Sequence, residues 1–324
     1  MKKFLSSFEE MDFLSEKKVP FFFVIDFLAK NIVVITEEDL KNQDLQIKFP
    51  HFKCETAPIS IQKDILWESF PQDESTYKKG FEIIQKNLKE GNSYLINYTC
   101  KTEIKTNLTL REIYQLSDAK YKVYFNDNFT FFSPETFIEI KDNQIFTHPM
   151  KGTIDASIED AENILKQDKK ELAEHYTVVD LLRNDLSIIA KDVKLDEFQK
   201  IDFIKTRNKN LYAMSSKISG IIRSEYQNKV GSILRNLLPA GSILGAPKEK
   251  TLEIILEAEN YSRGFYTGVC GWFDGKDLDS CVMIRFLEKE GNQVFFKSGG
   301  GITHMSQMKD EYEEMKNKIY VPIH

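Results

Sequence analysis

The 324-residue chain has few of the features that mark metal-binding, secreted or membrane proteins. Its four cysteines form no Cys-x-x-Cys pair and no zinc-like spacing, so we interpret them as reduced thiols of a cytoplasmic protein. Basic residues number 44 against 50 acidic ones, and the resulting net charge of -6 argues against nucleic acid or an anionic membrane as the main partner. The longest apolar stretch, residues 19–35, is interrupted by Asp26 and Lys30 and is too short to span a bilayer.

What the chain does have is enough apolar and aromatic sequence, 41% and 12%, for an extensive core. Hairpin patterns and separate amphipathic segments predict an α+β fold with antiparallel sheets. Cys270 and Cys281 could face each other across one hairpin without being bonded. We predict strands at residues 21–27, 31–35, 94–105, 211–222, 266–273, 280–288 and 293–298, and helices at residues 75–90, 157–185, 229–238, 248–261 and 306–320.

The segment His-Pro-Met-Lys-Gly-Thr at residues 148–153 holds Lys151 in a short, stiff loop behind a strand-like run. Pro149 fixes φ before the lysine, and Gly152 permits close backbone approach after it. Such a lysine could be a nucleophile if burial or a proton acceptor removes its proton. The alternative is an ordinary solvated loop lysine.

A predicted β-hairpin leads into this segment. Residues 136–140 and 145–147 alternate as strands do, with a polar turn between them. If the hairpin is symmetric about its turn, Glu135 and Lys151 stand opposite each other with Cβ atoms about 5 Å apart. The two could serve as general acid and nucleophile, or form a surface salt bridge of little energetic value.

Two predicted helices each carry a pair of glutamates three residues apart. Glu171 and Glu174 share one face of the first helix, and Glu311 and Glu314 share one face of the last. Carboxylates from two helices suit Mg²⁺, which keeps several waters for a bound anion. Without a fold, a solvated helix face explains the same spacing.

Two glycine segments could hold an anion. The run of glycines at residues 299–301 could expose N–H groups to a carboxylate or form a tight turn. Gly241 and Ser242, shortly before a predicted helix, form a second possible cradle.

Taken together, ordered segments of the chain resemble the chorismate-utilising enzymes. The resemblance covers residues 94–318, about two thirds of the chain, and implies one chorismate-binding domain over residues 1–324, with 1–90 a shortened N-terminal portion and 91–320 the motif-bearing core. The implied fold is a sandwich of large antiparallel sheets with helices outside. The matching segments are Ser-Pro-Glu (133–135), Pro-Met-Lys-Gly-Thr (149–153), Ala-Glu-His (173–175), Val-Asp-Leu-Leu-Arg-Asn-Asp (179–185), Gly-Ser-Ile-Leu-Gly-Ala-Pro-Lys (241–248), Arg-Gly-Phe-Tyr-Thr-Gly (263–268), Ile-Arg (284–285), Gly-Gly-Gly-Ile (299–302) and Glu-Tyr-Glu-Glu (311–314).

Lys151 distinguishes the members of that family. Aminodeoxychorismate synthases typically read Pro-Ile-Lys-Gly-Thr where anthranilate synthases read Pro-Ile-Ala-Gly-Thr. The resemblance therefore implies amination of chorismate at C4: the lysine attacks C2 as the C4 hydroxyl leaves, and ammonia then enters at C4 and expels the lysine. The product would feed 4-aminobenzoate and folate synthesis.

The resemblance also implies roles for individual residues. Lys151 would be the nucleophile and Glu135 the general acid. Glu174 and Glu314 would bind Mg²⁺, with Glu171 and Glu311 flanking them. The residues expected to bind substrate are Tyr266, Arg285, Gly300, Gly301, Lys318, Thr153, Gly241 and Ser242.

Three departures from the family pattern keep other readings open. Leu95 stands where isochorismate and salicylate synthases carry a lysine base, and where some aminodeoxychorismate synthases have glutamine. Ala213 stands near a histidine of anthranilate synthases, and Leu244 replaces a common threonine. One alternative is an anthranilate or isochorismate synthase, against which Lys151 and Leu95 speak. The other is a catalytically silent binding subunit, which the three departures motivate.

The source of ammonia is expected to be a partner. The chain has no Gly-x-Cys-x-Gly segment of a glutamine amidotransferase, so the resemblance implies a separate amidotransferase subunit. A lyase that makes 4-aminobenzoate is likewise expected to be another protein.

Overall fold

The computed structural model describes residues 6–57, 63–204 and 210–321, and for Lys151, Lys170 and Ile204 the backbone only. Within these residues the helices are α1 (Phe8–Glu16), α2 (Glu37–Leu40), α3 (Glu74–Lys89), α4 (Leu110–Leu116), α5 (Ala161–Gln167), α6 (Lys169–Ile189), α7 (Val230–Leu237), α8 (Lys248–Ala258) and α9 (Met308–Asn317), with 3₁₀ turns at Ser224–Tyr226 and Gly241–Ile243. The strands are β1 (Phe21–Ile25), β2 (Ile32–Thr36), β3 (Leu45–Lys48), β4 (Lys53–Cys54), β5 (Trp67–Phe70), β6 (Leu95–Thr106), β7 (Tyr121–Phe125), β8 (Phe129–Ser133), β9 (Thr136–Lys141), β10 (Gln144–Thr147), β11 (Met150–Asp155), β12 (Ala190–Ile204), β13 (Leu211–Ile222), β14 (Gly245–Ala246), β15 (Val269–Phe273), β16 (Leu278–Val282), β17 (Phe286–Glu290) and β18 (Gln293–Ile302).

The first sheet explains the apolar run near the N-terminus. Its neighbours run β11, β13, β10, β9, β16, β15, β1 and β2, and β12 also pairs with β13. Strand β1 lies between β15 and β2, and all its residues are buried. Phe22 and Val24 pack in the core between the two sheets, whereas Phe21 and Phe23 pack in the core beneath the helices. Because both faces are covered, the strand is apolar throughout and does not alternate.

The second sheet carries the glycine run. Its neighbours are β14, β6, β18, β17, β8, β7, β3 and β4, and β5 also pairs with β6. Strand β18 pairs with β17 only as far as Lys297, but it continues along β6 to Ile302. In the described chain, the last residues of β18 therefore have a strand neighbour on one side only.

The helices cover the outer faces of this pair of sheets. Helix α6 packs against β11, β12 and β13, α9 packs on β18, and α3 packs on α8 and β6. The predicted α+β sandwich with helices outside is confirmed. None of the described helices is both long and apolar enough to cross a bilayer.

The predicted hairpin before Lys151 is present but shorter than expected. β9 and β10 pair from Lys141 and Gln144 as far as Glu139 and Phe146, around a two-residue turn with positive φ. The ladder does not extend to Glu135 and Lys151. Instead β11 runs along β13, where Lys151 lies opposite Met214. Pro149, which lacks an N–H, lies between β10 and β11.

The long helix predicted at residues 157–185 is two helices. The break falls at Asp168, whose extended backbone ends α5. Its carboxylate Oδ1 accepts a hydrogen bond from the Glu171 N–H at 2.9 Å, as an N-cap residue does. This capping interaction sets where α6 begins and hence where its glutamates point.

Other predictions were wrong in detail. Residues 280–288 form two strands, β16 and β17, because the chain bends at Arg285, which has a φ of +51°. The glycines at 299–301 continue β18 and do not form a turn. We did not predict β12, whose pairing with β13 shifts register at three places and so breaks the alternation of its sequence. Cys270 and Cys281 are free thiols opposite each other, as expected.

Candidate active site

The glycines of β18 lie where two helices bring carboxylates to the sheet. A Cβ at Gly300 would lie 3.3 Å from Glu314 Oε1 and 3.8 Å from Glu311 Oε2. A Cβ at Gly301 would lie 3.0 Å from Glu174 Oε2. We call the space between Gly300, Gly301 and these three carboxylates the cradle. A side chain at either glycine would fill it, so the glycines allow α6 and α9 to approach the backbone.

The same strand end offers polar backbone groups. The Gly299 carbonyl accepts a hydrogen bond from Lys318 Nζ at 3.0 Å, so the polar groups of Gly299 point away from β6. Directions alternate along an antiparallel strand. The Gly301 N–H therefore also points away from β6, whereas Gly300 faces the β6 ladder. Both glycines predicted to contact substrate leave space beside the carboxylates, and Gly301 also offers a donor.

The four predicted metal ligands are near this strand end and the Lys151 loop. Glu174 and Glu311 are buried, and Glu171 and Glu314 are half-buried. Glu171 differs from the other three glutamates because it lies beside β11 and not beside β18. Its Oε2 lies 3.0 Å from where a Cβ of Gly152 would be. The first two turns of α6 thus lie between the Lys151 loop, beside Glu171, and the glycine run, beside Glu174.

These carboxylates have the chemistry that Mg²⁺ requires, which is hard oxygen from two rigid helices with space at a glycine. Their oxygen atoms do not surround one common position. Among the residues that the structure describes, no three His, Cys, Asp or Glu side chains form a group that could hold a metal ion. Lys318 Nζ donates to Glu314 Oε1 at 2.7 Å, which places a cation beside one of them.

Glu135 lies in the short connection that crosses from the second sheet to the first. Its carboxylate Oε1 accepts a hydrogen bond from Ser242 Oγ at 2.7 Å, and its carbonyl accepts one from the Val282 N–H at 3.1 Å. Ser242 therefore contacts the predicted general acid. Gly241 instead permits close packing, since a Cβ there would lie 2.8 Å from Leu181 Cδ2 of α6.

Tyr266 and Arg285 were predicted to hold a carboxylate. Tyr266 is buried, and burial raises the pKa of its hydroxyl, with the Glu135 carboxylate among the charges that add to the rise. The hydroxyl thus stays protonated and able to donate. Arg285 is half-buried in the bend between β16 and β17, and its Cζ lies 5.0 Å from the centroid of the Tyr320 ring.

In the Lys151 loop, the structure describes Lys151 itself by its backbone only. Lys151 lies opposite Met214 in β11, and a bulge follows between Lys151 and Thr153 with Gly152 at a φ of +78°. Thr153 is exposed and lies opposite Ala213. The side chain of Lys151, and with it the predicted approach to Glu135, lies outside the described residues.

Sequence reasoning missed a buried ion pair beneath the site. Arg263 Nη2 lies 2.6 Å from Glu259 Oε1, and both side chains are almost fully buried. The guanidinium also donates to the carbonyl of Asn97 at 2.6 Å and to that of Ile243 at 3.1 Å. The pair thereby ties β6 to the loop that carries Ser242. Its only sequence signal was a glutamate four residues before an arginine.

A family model described as chorismate binding enzyme matches residues 26–324. An "uncharacterized PabA-like protein" of Haemophilus influenzae is 45% identical over 316 residues, which cover 97% of this chain and 96% of that protein. Aminodeoxychorismate synthase component 1 of Bacillus subtilis is 30% identical over 265 residues, 77% of this chain and 55% of that protein. A putative 2,3-dihydroxybenzoate-specific isochorismate synthase from Bacillus anthracis has a similar fold, with a TM-score of 0.74 at 20% identity over 98% of this chain and 89% of that one.

The chain therefore belongs to the chorismate binding enzyme family. The resemblance inferred from its motifs is confirmed, and so is the expectation of an enzyme that acts on chorismate. Relatives in the family include both aminodeoxychorismate and anthranilate synthases, so family membership alone does not define the reaction.

Proposed function

We propose that the chain is an aminodeoxychorismate synthase component I, which converts chorismate and ammonia to 4-amino-4-deoxychorismate. The observation that carries this proposal is Lys151 in Pro-Met-Lys-Gly-Thr, on a strand whose next residue, Gly152, abuts Glu171 of α6. The name of the Bacillus subtilis relative supports the same activity.

In this proposal Lys151 and Glu135 carry out the covalent steps. The Lys151 amine forms a bond to C2 of chorismate and loses a proton, the two ring double bonds shift toward C4, and the C4 hydroxyl leaves as water with a proton supplied by Glu135. Ammonia then forms a bond at C4, both double bonds shift back, and the bond between C2 and the lysine nitrogen breaks. The proton that ammonia loses restores the lysine amine. Ser242 holds Glu135 through the 2.7 Å hydrogen bond.

The remaining residues bind the two carboxylates of chorismate. Arg285 has a planar fork that suits a carboxylate through two parallel hydrogen bonds, and Tyr266 adds a protonated hydroxyl. Lys318 and the Gly301 N–H would hold the ring carboxylate. Thr153, exposed on β11 beyond Lys151, would contact the substrate from the other side.

Glu174 and Glu314 would hold Mg²⁺, with Glu311 beside them and Glu171 reaching it through water. A bound Mg²⁺ neutralises carboxylate charge and polarises oxygen atoms of the substrate. The residues themselves contribute a cradle of fixed size, because glycine at 300 and 301 leaves room between α6 and α9.

Leu95 argues against the isochorismate synthase alternative. It is buried, and its Cδ1 lies 3.0 Å from where a Cβ of Gly301 would be, so it faces the cradle. An apolar side chain at this point cannot remove a proton from water. Direct hydration of chorismate at C2 is thereby disfavoured.

The ammonia would come from a glutamine amidotransferase subunit, with free ammonium as its substitute in vitro. To test the proposal, purified protein is incubated with chorismate, Mg²⁺ and ammonium, then with an aminodeoxychorismate lyase, and products are identified by mass. We expect 4-aminobenzoate. Anthranilate or isochorismate would replace the proposal by one of its alternatives, and unchanged chorismate would favour a silent binding subunit.

A further inference from the structure

The C-terminal turn connects two of the groups proposed to bind carboxylates. After α9, the Ile319 N–H donates to the Lys316 carbonyl at 3.0 Å and the Tyr320 N–H donates to the Lys318 carbonyl at 2.9 Å. Ile319 packs against two apolar cores and so anchors the turn. On either side of it, Lys318 reaches the Gly299 carbonyl and the Tyr320 ring reaches Arg285.

The contact between Tyr320 and Arg285 has the geometry of a cation–π interaction. The guanidinium carbon lies 5.0 Å from the ring centroid, within the distance at which a ring face attracts a cation. Tyr320 is 41% exposed, so packing in a hydrophobic core does not account for an aromatic residue here. A residue there need not be aromatic for the chain to fold.

Arg285 itself is held in an unusual backbone conformation. Its φ is +51°, and its carbonyl accepts a hydrogen bond from the Phe132 N–H at 3.3 Å. A non-glycine residue in this region is strained, and such residues concentrate at functional sites. The backbone thus aims the arginine, but its long side chain still has several rotatable bonds.

We infer that Tyr320 is a positioning residue for Arg285. The ring attracts the guanidinium carbon that lies over it, whereas a carboxylate binds the guanidinium through its N–H groups. This inference rests on the proposed function, in which Arg285 holds a substrate carboxylate. The ring supplies the effect, so the Tyr320 hydroxyl is dispensable.

The test compares Tyr320→Phe, Tyr320→Leu and Arg285→Ala with wild type in calorimetric chorismate binding and in steady-state kinetics. Tyr320→Leu keeps apolar volume but removes the ring, and we expect it to raise Kd and KM about two- to fivefold with little change in kcat. Tyr320→Phe should bind as wild type does. Phe13→Leu, at an aromatic residue 60% exposed on α1, is the control and should change nothing.

A double variant separates positioning from a general effect. On an Arg285→Ala background, Tyr320→Leu should add no further loss, because the group that it positions is gone. Full additivity, loss of binding in Tyr320→Phe, or wild-type binding by Tyr320→Leu would each overturn the inference. If Arg285→Ala itself bound chorismate normally, the proposed role of Arg285 would fail and the inference with it; if only Tyr320→Leu were silent, the proposed function would stand.

Discussion

Substitution of Gly301 tests most directly whether the space beside the glycines of β18 is needed for activity. Its N–H points away from β6, and the space that a side chain would take lies against Glu174 Oε2 and Leu95 Cδ1, each at 3.0 Å. Glu174 is buried and belongs to a capped helix, so it cannot move away freely. The position therefore needs glycine for the sake of the site and not for backbone conformation.

We predict that Gly301→Ala lowers kcat/KM about ten- to a hundredfold, because it displaces a carboxylate and a donor by a few tenths of an ångström. The protein should remain folded by circular dichroism. Gly291→Ala is the matched control: that glycine has a φ of +60° and open space, so its change should cost about 1 kcal/mol of stability and no activity. Equal activities in the two variants would contradict the cradle.

At the scale of single residues, the sequence indicated which residues could belong to the site better than it indicated which of them are in contact. The spacing of Glu311 and Glu314 predicted that they share one helix face, and both lie beside Gly300 in the structure. It could not predict that Tyr320 covers Arg285, because no local pattern brings the two together. Nor could it distinguish the roles of Gly300 and Gly301, which depend on the pairing of β18 with β6.

Among the elements, the β9–β10 hairpin carries a pair of side chains that responds to pH. His148 Nε2 lies 3.1 Å from Glu139 Oε2, and this hydrogen bond lowers the pKa of the glutamate from 4.5. A carboxylate whose pKa is lower in the folded state stabilises the fold above its unfolded pKa. That stabilisation is lost as the pH falls through the folded pKa.

We therefore expect wild type to exceed Glu139→Gln in free energy of unfolding by less than about 1 kcal/mol near neutral pH, since the pair is partly exposed. The difference should decrease as the pH falls below 4.5, the ordinary pKa of a glutamate, and vanish once the pH lies below the lowered pKa. Urea unfolding near neutral pH and at acidic pH measures it, with Glu68→Gln, at an exposed carboxylate on β5, as the control. A difference that grows toward low pH would contradict the assigned sign.

The elements that sequence reasoning placed correctly have strong periodicity or clear caps. Helix α3 begins after Asp73, whose side chain accepts from the Thr76 N–H, and its predicted bounds differ by one residue at each end. Strand β12 escaped prediction because its register shifts hide the alternation. The break between α5 and α6 depends on one capping aspartate inside an otherwise helical pattern.

Across the whole molecule, the buried ion pair of Arg263 and Glu259 joins distant parts of the second sheet and its loops. Glu259 Oε1 also accepts from the Thr99 N–H at 2.8 Å. Removing one partner leaves the other charge buried and unpaired, so we expect Glu259→Gln to lower the free energy of unfolding by about 3–5 kcal/mol. Glu253→Gln, which breaks an exposed pair with Lys250, should cost less than about 1 kcal/mol. Similar losses in denaturant unfolding would contradict the role assigned to the buried pair.

The hairpin patterns and the family resemblance predicted the sandwich architecture. They did not predict that strands of the N-terminal portion belong to both sheets. Residues 1–90 matched the family only loosely, yet β1 lies between β15 and β2, and β3 pairs with β7 of the other sheet. Strand order depends on contacts between residues far apart in sequence. Local patterns predict that strands exist and not which ones are neighbours.

In the proposed reaction, Lys151 directs amination to C4 of chorismate. The most direct measurement is the product spectrum of Lys151→Ala beside wild type and the control Lys194→Ala, whose lysine is 72% exposed on β12. With chorismate, Mg²⁺ and ammonium, wild type and the control should form 4-amino-4-deoxychorismate, and Lys151→Ala should form none or a different product. The same product at the same rate from Lys151→Ala would contradict the claim.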